Sequence, residues 1–445
     1  MTRKVIVAVF VLAALSLLLP SIPTYDPYAW IIWGREITEG ALTTTQGPSW
    51  KPLPVAFTTV FALFGDAAPW LWLVVARAGA IAALLACWHL VRRLDGGPAG
   101  AAAAVAALAL APWWLMNAAL GNSEGLMVFF VLAALERMTV SKHRAAFALA
   151  CGAALLRPEI WPFLAVYALW LMWRQPVSRT AVLAAGAAVI ACWLLPEWWG
   201  SGDLFRAANR ARTDINPLAP TNAESPILAV LGDAWQMLVL PVVLGLAAAL
   251  WDAIRNRDRA IIGLVALSLV WLGVVAVMTR SGFSGNQRYL IVPVALLIVA
   301  SGAGLGRALT TLSTSGARRW AVVAATALLF AAPSFGELRL TWDRVAYQES
   351  MTRALPDLIA RAGGAAAIRD CGFVSTGRFL VPQLAWQLNL HLDEVSELTK
   401  TPGTVFVVQT TATSRWGPPR GAVSARPVAV HRSWHVYQQC RNDAR

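Results

Sequence analysis

Charged residues are few: Asp, Glu, Lys and Arg make up 14% of the 445 residues, against 58% hydrophobic, and the mean hydropathy is +0.57. That balance excludes a soluble or disordered chain. Lysine is scarcest, with Lys4, Lys51, Lys142 and Lys400 against 33 arginines, a bias that fits GC-rich bacterial coding. There is no phosphate loop and no glycine-rich nucleotide fingerprint. The five histidines, His89, His143, His391, His431 and His435, are scattered without zinc-ligand spacing. No internal repeat or low-complexity linker breaks the chain. The net charge of +13 would point to nucleic acid in a soluble protein. Here the basic residues sit between long apolar runs, so orientation in a bilayer accounts for them and no nucleic-acid partner is expected.

What is abundant is apolar sequence long enough to cross a membrane, which takes roughly 20 residues of helix. Eleven candidate spans lie near 5–22, 69–91, 98–115, 124–140, 145–157, 160–173, 180–196, 226–250, 260–278, 289–306 and 320–335. The fifth and sixth are short and separated by Arg157, Pro158 and Glu159, so they read equally as a re-entrant pair. With the N-terminus inside, the inner turns hold fifteen basic residues, among them Arg92, Arg93, Arg318 and Arg319, and the short outward loops hold eight. The excess supports that orientation. The first run resembles a secretory signal, but no small-x-small site follows, so it reads as an uncleaved first helix.

These features predict an all-α polytopic membrane bundle over 1–335, with its first outward loop at 23–68, and a small extracytoplasmic α/β domain over 336–445. In that tail, Ala367-Ile368-Arg369, Thr404 to Val408, Pro427 to Val430 and Trp434 to Tyr437 read as strands, and 341–362 and 378–389 as helices. Cys371 and Cys440 lie in the outward tail, where oxidising conditions allow a disulfide; the alternative is two buried thiols.

Polar residues are most informative where the chain leaves the bilayer outward. Asp26 directly follows the first span. Residues 28–39 suit a helix in the interface, and Ser49-Trp50-Lys51-Pro52-Leu53-Pro54 makes a rigid aromatic and basic turn. Arg77 lies inside the second span, where an unpaired charge costs about 2.5–3.5 kcal/mol, so a partner or polar cavity is required. Glu124 opens a later span, where a carboxylate is favoured by the helix dipole. Arg157-Pro158-Glu159 reaches the same layer as a site or as a self-satisfied salt bridge. Arg206, Arg210 and Arg212 lie in a loop that could meet an anion or be a solvated lid. Arg288 and Tyr289 stand at the outer end of a late span.

On Asp26, the turn at Lys51-Pro52-Leu53-Pro54 and the arginine-containing second helix ending in Arg92-Arg93, the chain resembles the GT-C superfamily of membrane glycosyltransferases. The likeness is greatest to the branch of protein O-mannosyltransferases and lipid A aminoarabinose transferases, and covers roughly the first 175 residues. It implies an inverting transfer of a sugar from a polyprenyl-phosphate donor to a cell-envelope acceptor, whether glycan, lipid or protein, on the outer side of a bacterial plasma membrane. The missing nucleotide fingerprint fits a lipid-linked donor. The resemblance then implies Asp26 as the base, with Glu124 as a second acidic group that orients the acceptor or binds a metal. Lys51, Arg77, Arg157, Glu159, Arg206, Arg288 and Tyr289 are the expected substrate contacts. The family's paired acid is absent at Asp26-Pro27, so no cofactor is assigned and a divalent metal stays open. A transporter or lipid flippase, and an inactive membrane scaffold, are the competing readings.

Overall fold

The structure is a computed structural model. It describes residues 2–175, 179–213, 216–312, 316–408 and 426–440, with the backbone alone at 312, 316–320, 322–323 and 326–334. Arg318 and Arg319, counted above among the inner basic residues, therefore have no described side chains.

The helices begin and end where the sequence punctuates them. α1 (Arg3–Leu15) runs into a 3-10 turn and stops at Pro20. The first loop then folds inward as α2 (Tyr25–Glu39) and α3 (Pro52–Ala62), before α4 (Ala68–Arg93). α4 has Pro69 in its first turn and Arg92 and Arg93 in its last, the placements that helix geometry and dipole favour. α5 (Gly97–Ala109) and α6 (Pro112–Ala119) follow, broken by 61° at Pro112. α7 (Glu124–Thr139) packs tightly along α4 because Gly79 faces Leu126 and Gly125 faces Ala80, leaving no room for a Cβ at either glycine.

α8 (His143–Ala154), α9 (Trp161–Arg174), α10 (Arg179–Ser201) and the short α11 (Arg206–Arg210) continue the bundle. α12 (Pro226–Gln236) and α13 (Leu240–Asn256) meet at 99°, followed by α14 (Arg259–Arg280) and α15 (Ile291–Leu312). Among the described residues, four helices are long and apolar enough to cross a membrane: Gly65–Arg93, Arg179–Ser201, Arg259–Arg280 and Ile291–Thr311. The number rises to six if each bent pair is one span. Of the remaining expected runs, 5–22, 124–140, 145–157 and 160–173 coincide with shorter helices, and 320–335 lies within the 38-residue Gly316–Arg353 helix. The core of the bundle sits where α4, α7 and α15 meet, with Ala83, Val294, Leu296 and Val299 fully enclosed.

α16 (Gly316–Arg353) is continuous across residue 336 and carries the chain into the α/β region. There α17 (Leu355–Arg361), α18 (Gly364–Cys371) and α19 (Val381–Leu388) pack on a sheet. Its strands are β1 (Phe373–Thr376), β2 (Val395–Ser396), β3 (Gly403–Val408), β4 (Ala429–His431) and β5 (Trp434–Gln439). The order is β2-β1-β3-β5-β4, with β1 parallel to β2 and β3 and the remaining pairs antiparallel. Cys371 and Cys440 form a disulfide. The strand expected at Ala367-Ile368-Arg369 is instead the middle of α18. The alanines before it are strong helix formers, and Ile368 and Cys371 are buried one turn apart, a period that three residues cannot display. β1 and β2 went unpredicted.

Candidate functional site

The site is assembled on α2. The segment before it is pinned to the end of α6 by backbone bonds, Ile22 N to Ala119 O at 3.2 Å and Thr24 N to Leu120 O at 3.2 Å. Tyr25 and Asp26 therefore begin α2 beside α6. The helix is then buried by its aromatics: Trp30 packs edge-on against Trp72 and Trp33 tilts against Trp50, with centroids 5.4 and 5.5 Å apart. Gly34 lets it press onto the Thr58 backbone. The expected interfacial helix is thus an interior element with its first turn at a cleft.

The turn before α3 supplies Lys51. Pro52 sets the first helical position, and the extended backbone at Lys51 turns its side chain inward, where Nζ donates to Ser123 Oγ at 3.2 Å and lies 4.9 Å from the centre of the Trp30 ring. Burial is the main cause that lowers the Lys51 pKa to about 7. The Arg157 and Arg288 cations add to it, and Glu124 opposes it.

Glu124, at the start of α7, is the hub. Its Oε1 accepts from Arg157 Nη2 and from Arg288 Nε, both at 2.8 Å. Arg157 continues to Glu159 at 3.1 Å and its guanidinium stands 4.4 Å from the centre of the Tyr289 ring. Arg288, in the short turn before α15, is held by Asn286, whose Oδ1 accepts from its backbone N at 3.1 Å, and it also donates from Nη1 to Asp26 Oδ2 at 2.8 Å. Burial works against the Arg288 charge, but Glu124 and Asp26 overcome it and hold its pKa above the ordinary value. Three cations thus face three carboxylates from five separate stretches of chain.

Exposure separates the members. Asp26 and Arg288 keep 22% and 27% of their side-chain surface, whereas Glu124 keeps 2% and sits behind both guanidiniums. Among the described residues, Arg157 Nε and Arg288 Nη2 are buried without a hydrogen-bond partner. The cleft itself, about 790 Å³, is lined by Asp26, Lys51, Arg157, Arg288 and Tyr289 on one side and by Arg210, Arg378 and Phe379 on another.

Two expected residues lie apart. Arg206 is tied to Pro48 O at 2.7 Å, Gly47 O at 3.1 Å and Glu197 at 3.5 Å, so it braces the first loop against α10 and α11. Arg77 lines a different cavity, on the other face of α6. Sequence reading missed Ser123, Tyr25 and the pair Arg378 and Phe379. No local signal marks the last two, which reach the cleft only because the α/β region folds back onto α2. That contact is made by Arg35 to Asn389 Oδ1 and Leu390 O at 2.6 and 2.7 Å, and by the buried Glu36 to His391 Nδ1 at 2.8 Å. Burial raises the Glu36 pKa to about 7 against the pull of the Thr43 N–H and His391. Among the described residues no three His, Cys, Asp or Glu side chains gather as a metal site would require.

No protein-family model matches the chain, and neither does any curated protein. Solved structures do. ArnT from Cupriavidus metallidurans bound to undecaprenyl phosphate superposes with a TM-score of 0.60 at 15% identity, covering 97% of each chain. Its apo state gives 0.59 at 16% identity, again over 97% of each. The Archaeoglobus fulgidus oligosaccharyltransferase tethered with an acceptor peptide gives 0.45 at 14% identity, over 90% of this chain and 66% of that one. The chain shares the fold of these ArnT structures over nearly its whole length.

Proposed function

We propose that the protein is an inverting glycosyltransferase of a bacterial plasma membrane that moves a sugar from a polyprenyl-phosphate donor to a cell-envelope acceptor. The observation that carries the reading is the meeting, in a GT-C fold, of one partly exposed carboxylate with Lys51, Arg157 and Arg288 at a single cleft. Residues 1–335 form the catalytic membrane module and 336–445 the outward domain, with eleven crossings and the N-terminus cytoplasmic.

In this reading the donor phosphate meets Lys51 and the unpartnered Nε of Arg157 and Nη2 of Arg288. The cluster is neutral while Lys51 is protonated, so an incoming phosphate keeps that proton on Lys51. Arg288 holds Asp26 through Oδ2, and Oδ1 is left to take the acceptor proton. The acceptor oxygen attacks the anomeric carbon as the bond to the phosphate oxygen breaks. The polyprenyl phosphate departs with the electron pair, and the added negative charge falls among the arginines. Displacement in one step inverts the anomeric centre. Glu124, shielded from the cleft, fixes both guanidiniums and takes no proton. Its role is positioning.

The test is transfer of labelled sugar from a panel of synthetic polyprenyl-phosphate sugars by purified protein in lipid, with a membrane extract as acceptor. Label transferred by the wild type and lost in Asp26→Asn supports both class and base. Transfer surviving in Asp26→Asn overturns the base assignment, and no transfer from any donor returns the weight to a transporter or scaffold.

A further inference from the structure

A second cavity lies one helix away from the cleft. α6 divides them: Trp113, Met116 and Asn117 line the cleft, while Trp114, Leu115 and Ala118 line an apolar groove of about 310 Å³ closed by the turn after α1, by α4 and by α16. The mouth of the groove is exposed and hydrophobic, with Leu19, Leu115 and Trp342 at 52%, 40% and 50% exposure. The α16 wall, Leu338 to Val345, directly follows the last apolar run on the same helix, so the groove lies at the outer edge of the bundle, where such a surface meets lipid rather than water.

The groove has one charged lining residue, Arg77. It is buried, and its neighbours are neutral: it donates to Ser16 O and Pro20 O, and to the hydroxyls of Ser16 and Ser21 at 3.0 and 2.6 Å. These bonds cap the end of α1 but carry no negative charge beyond the helix dipole. Nε has no partner. The acid whose charge reaches Arg77 is Glu349, which is already paired with Arg353 at 2.7 Å. A buried guanidinium with no paired counter-ion among the described residues, at the wall of an apolar groove open to lipid, is complementary to an amphipath with an anionic head and a hydrocarbon chain.

We propose that this groove is a binding site for an anionic phospholipid, whose head phosphate neutralises Arg77 and whose chain lies along α6 and α16. The site is distinct from the cleft around Asp26 and does not rest on the reading of that cleft.

The test uses the full-length protein in mixed micelles with phosphatidylglycerol and diacylglycerol, which has the chains but no phosphate, each carrying a photoactivatable group on the acyl chain. Retention is read by native mass spectrometry and attachment by peptide mapping. The expected result is a roughly tenfold preference for the anionic head, the size of a charge-assisted hydrogen bond, with cross-links in 338–345 or 114–119. Arg77→Gln should abolish the preference, and Ala118→Trp, which fills the groove and leaves Arg77 in place, should abolish retention. Asp26→Asn should change neither. Equal retention of both lipids by the wild type, or cross-links that map elsewhere, overturns the proposal, and both readouts need no variant to fold.

Discussion

α2 carries a carboxylate in its first turn and another in its last, and the two are treated oppositely. Asp26 keeps part of its surface in the cleft and shares Arg288 with Glu124. Glu36, ten residues on, has no exposed surface and is closed in by the Thr43 N–H at 3.0 Å and by His391. Both are hydrogen-bonded carboxylates on one helix. What distinguishes a reacting group from a tether is which side is left open: Asp26 lines a cavity that can admit a substrate, and Glu36 lines only a contact between α2 and the α/β region. The same division holds for arginines, since Arg288 and Arg157 line the cleft, whereas Arg35 lies outside it and spends both Nη groups on Asn389 and Leu390.

The largest effect should separate the two ends. Asp26→Asn is expected to lower the transfer rate on the order of 100- to 10,000-fold with the protein still folded, and Glu36→Gln to leave the rate within a few-fold. Equal losses in a single-turnover assay would break the comparison. Next in size is Arg288→Lys. An ammonium cannot bridge Asp26 and Glu124 as the fork does, so a fall in rate on the order of 100-fold is expected, against little change for Arg35→Lys. A smaller effect sharpens the cleft alone. With the Lys51 pKa near 7, its charge is present below that pH and lost above it. The KM for a polyprenyl-phosphate donor should therefore rise between pH 6 and 8 in the wild type and stay flat in Lys51→Arg.

Much of this was legible from residue order. The helices answer to apolar period and to proline and arginine punctuation, and Asp26, Lys51, Glu124, Arg157 and Arg288 all stand at the same end of successive runs. What residue order does not carry is which of them touch. Arg77, inside a span, and Lys51, in an outward turn, both read as substrate contacts, but they line different cavities on opposite faces of α6. Arg206 resembles a phosphate ligand until Gly47, Pro48 and Glu197 take up its donors. Arg378 and Phe379 follow a four-residue strand too short to register as a period, and reach the cleft only through the docking of α19 on α2.

The smallest expected effect concerns stability at the tether. Burial holds the Glu36 pKa near 7, above its ordinary value of 4.5. The folded state therefore binds the proton more tightly than the unfolded chain, and the stability this gives is complete below about pH 4.5 and lost as pH rises through 7. Arg35, His391 and the Thr43 N–H favour the ionised form and limit the size of the shift. Glu36→Gln keeps the shape and cannot titrate. The unfolding midpoint of the wild type should thus fall by a few degrees more than that of Glu36→Gln between pH 5 and 8, about what 1 kcal/mol does in a domain of this size. Glu36→Ala, which strands the Thr43 N–H, should cost about 1–3 kcal/mol at any of these values. If the same pH change altered the transfer rate in the wild type but not in Glu36→Gln, the two ends of α2 would be coupled, and the docked α/β region would be setting the position of Asp26 rather than merely covering it.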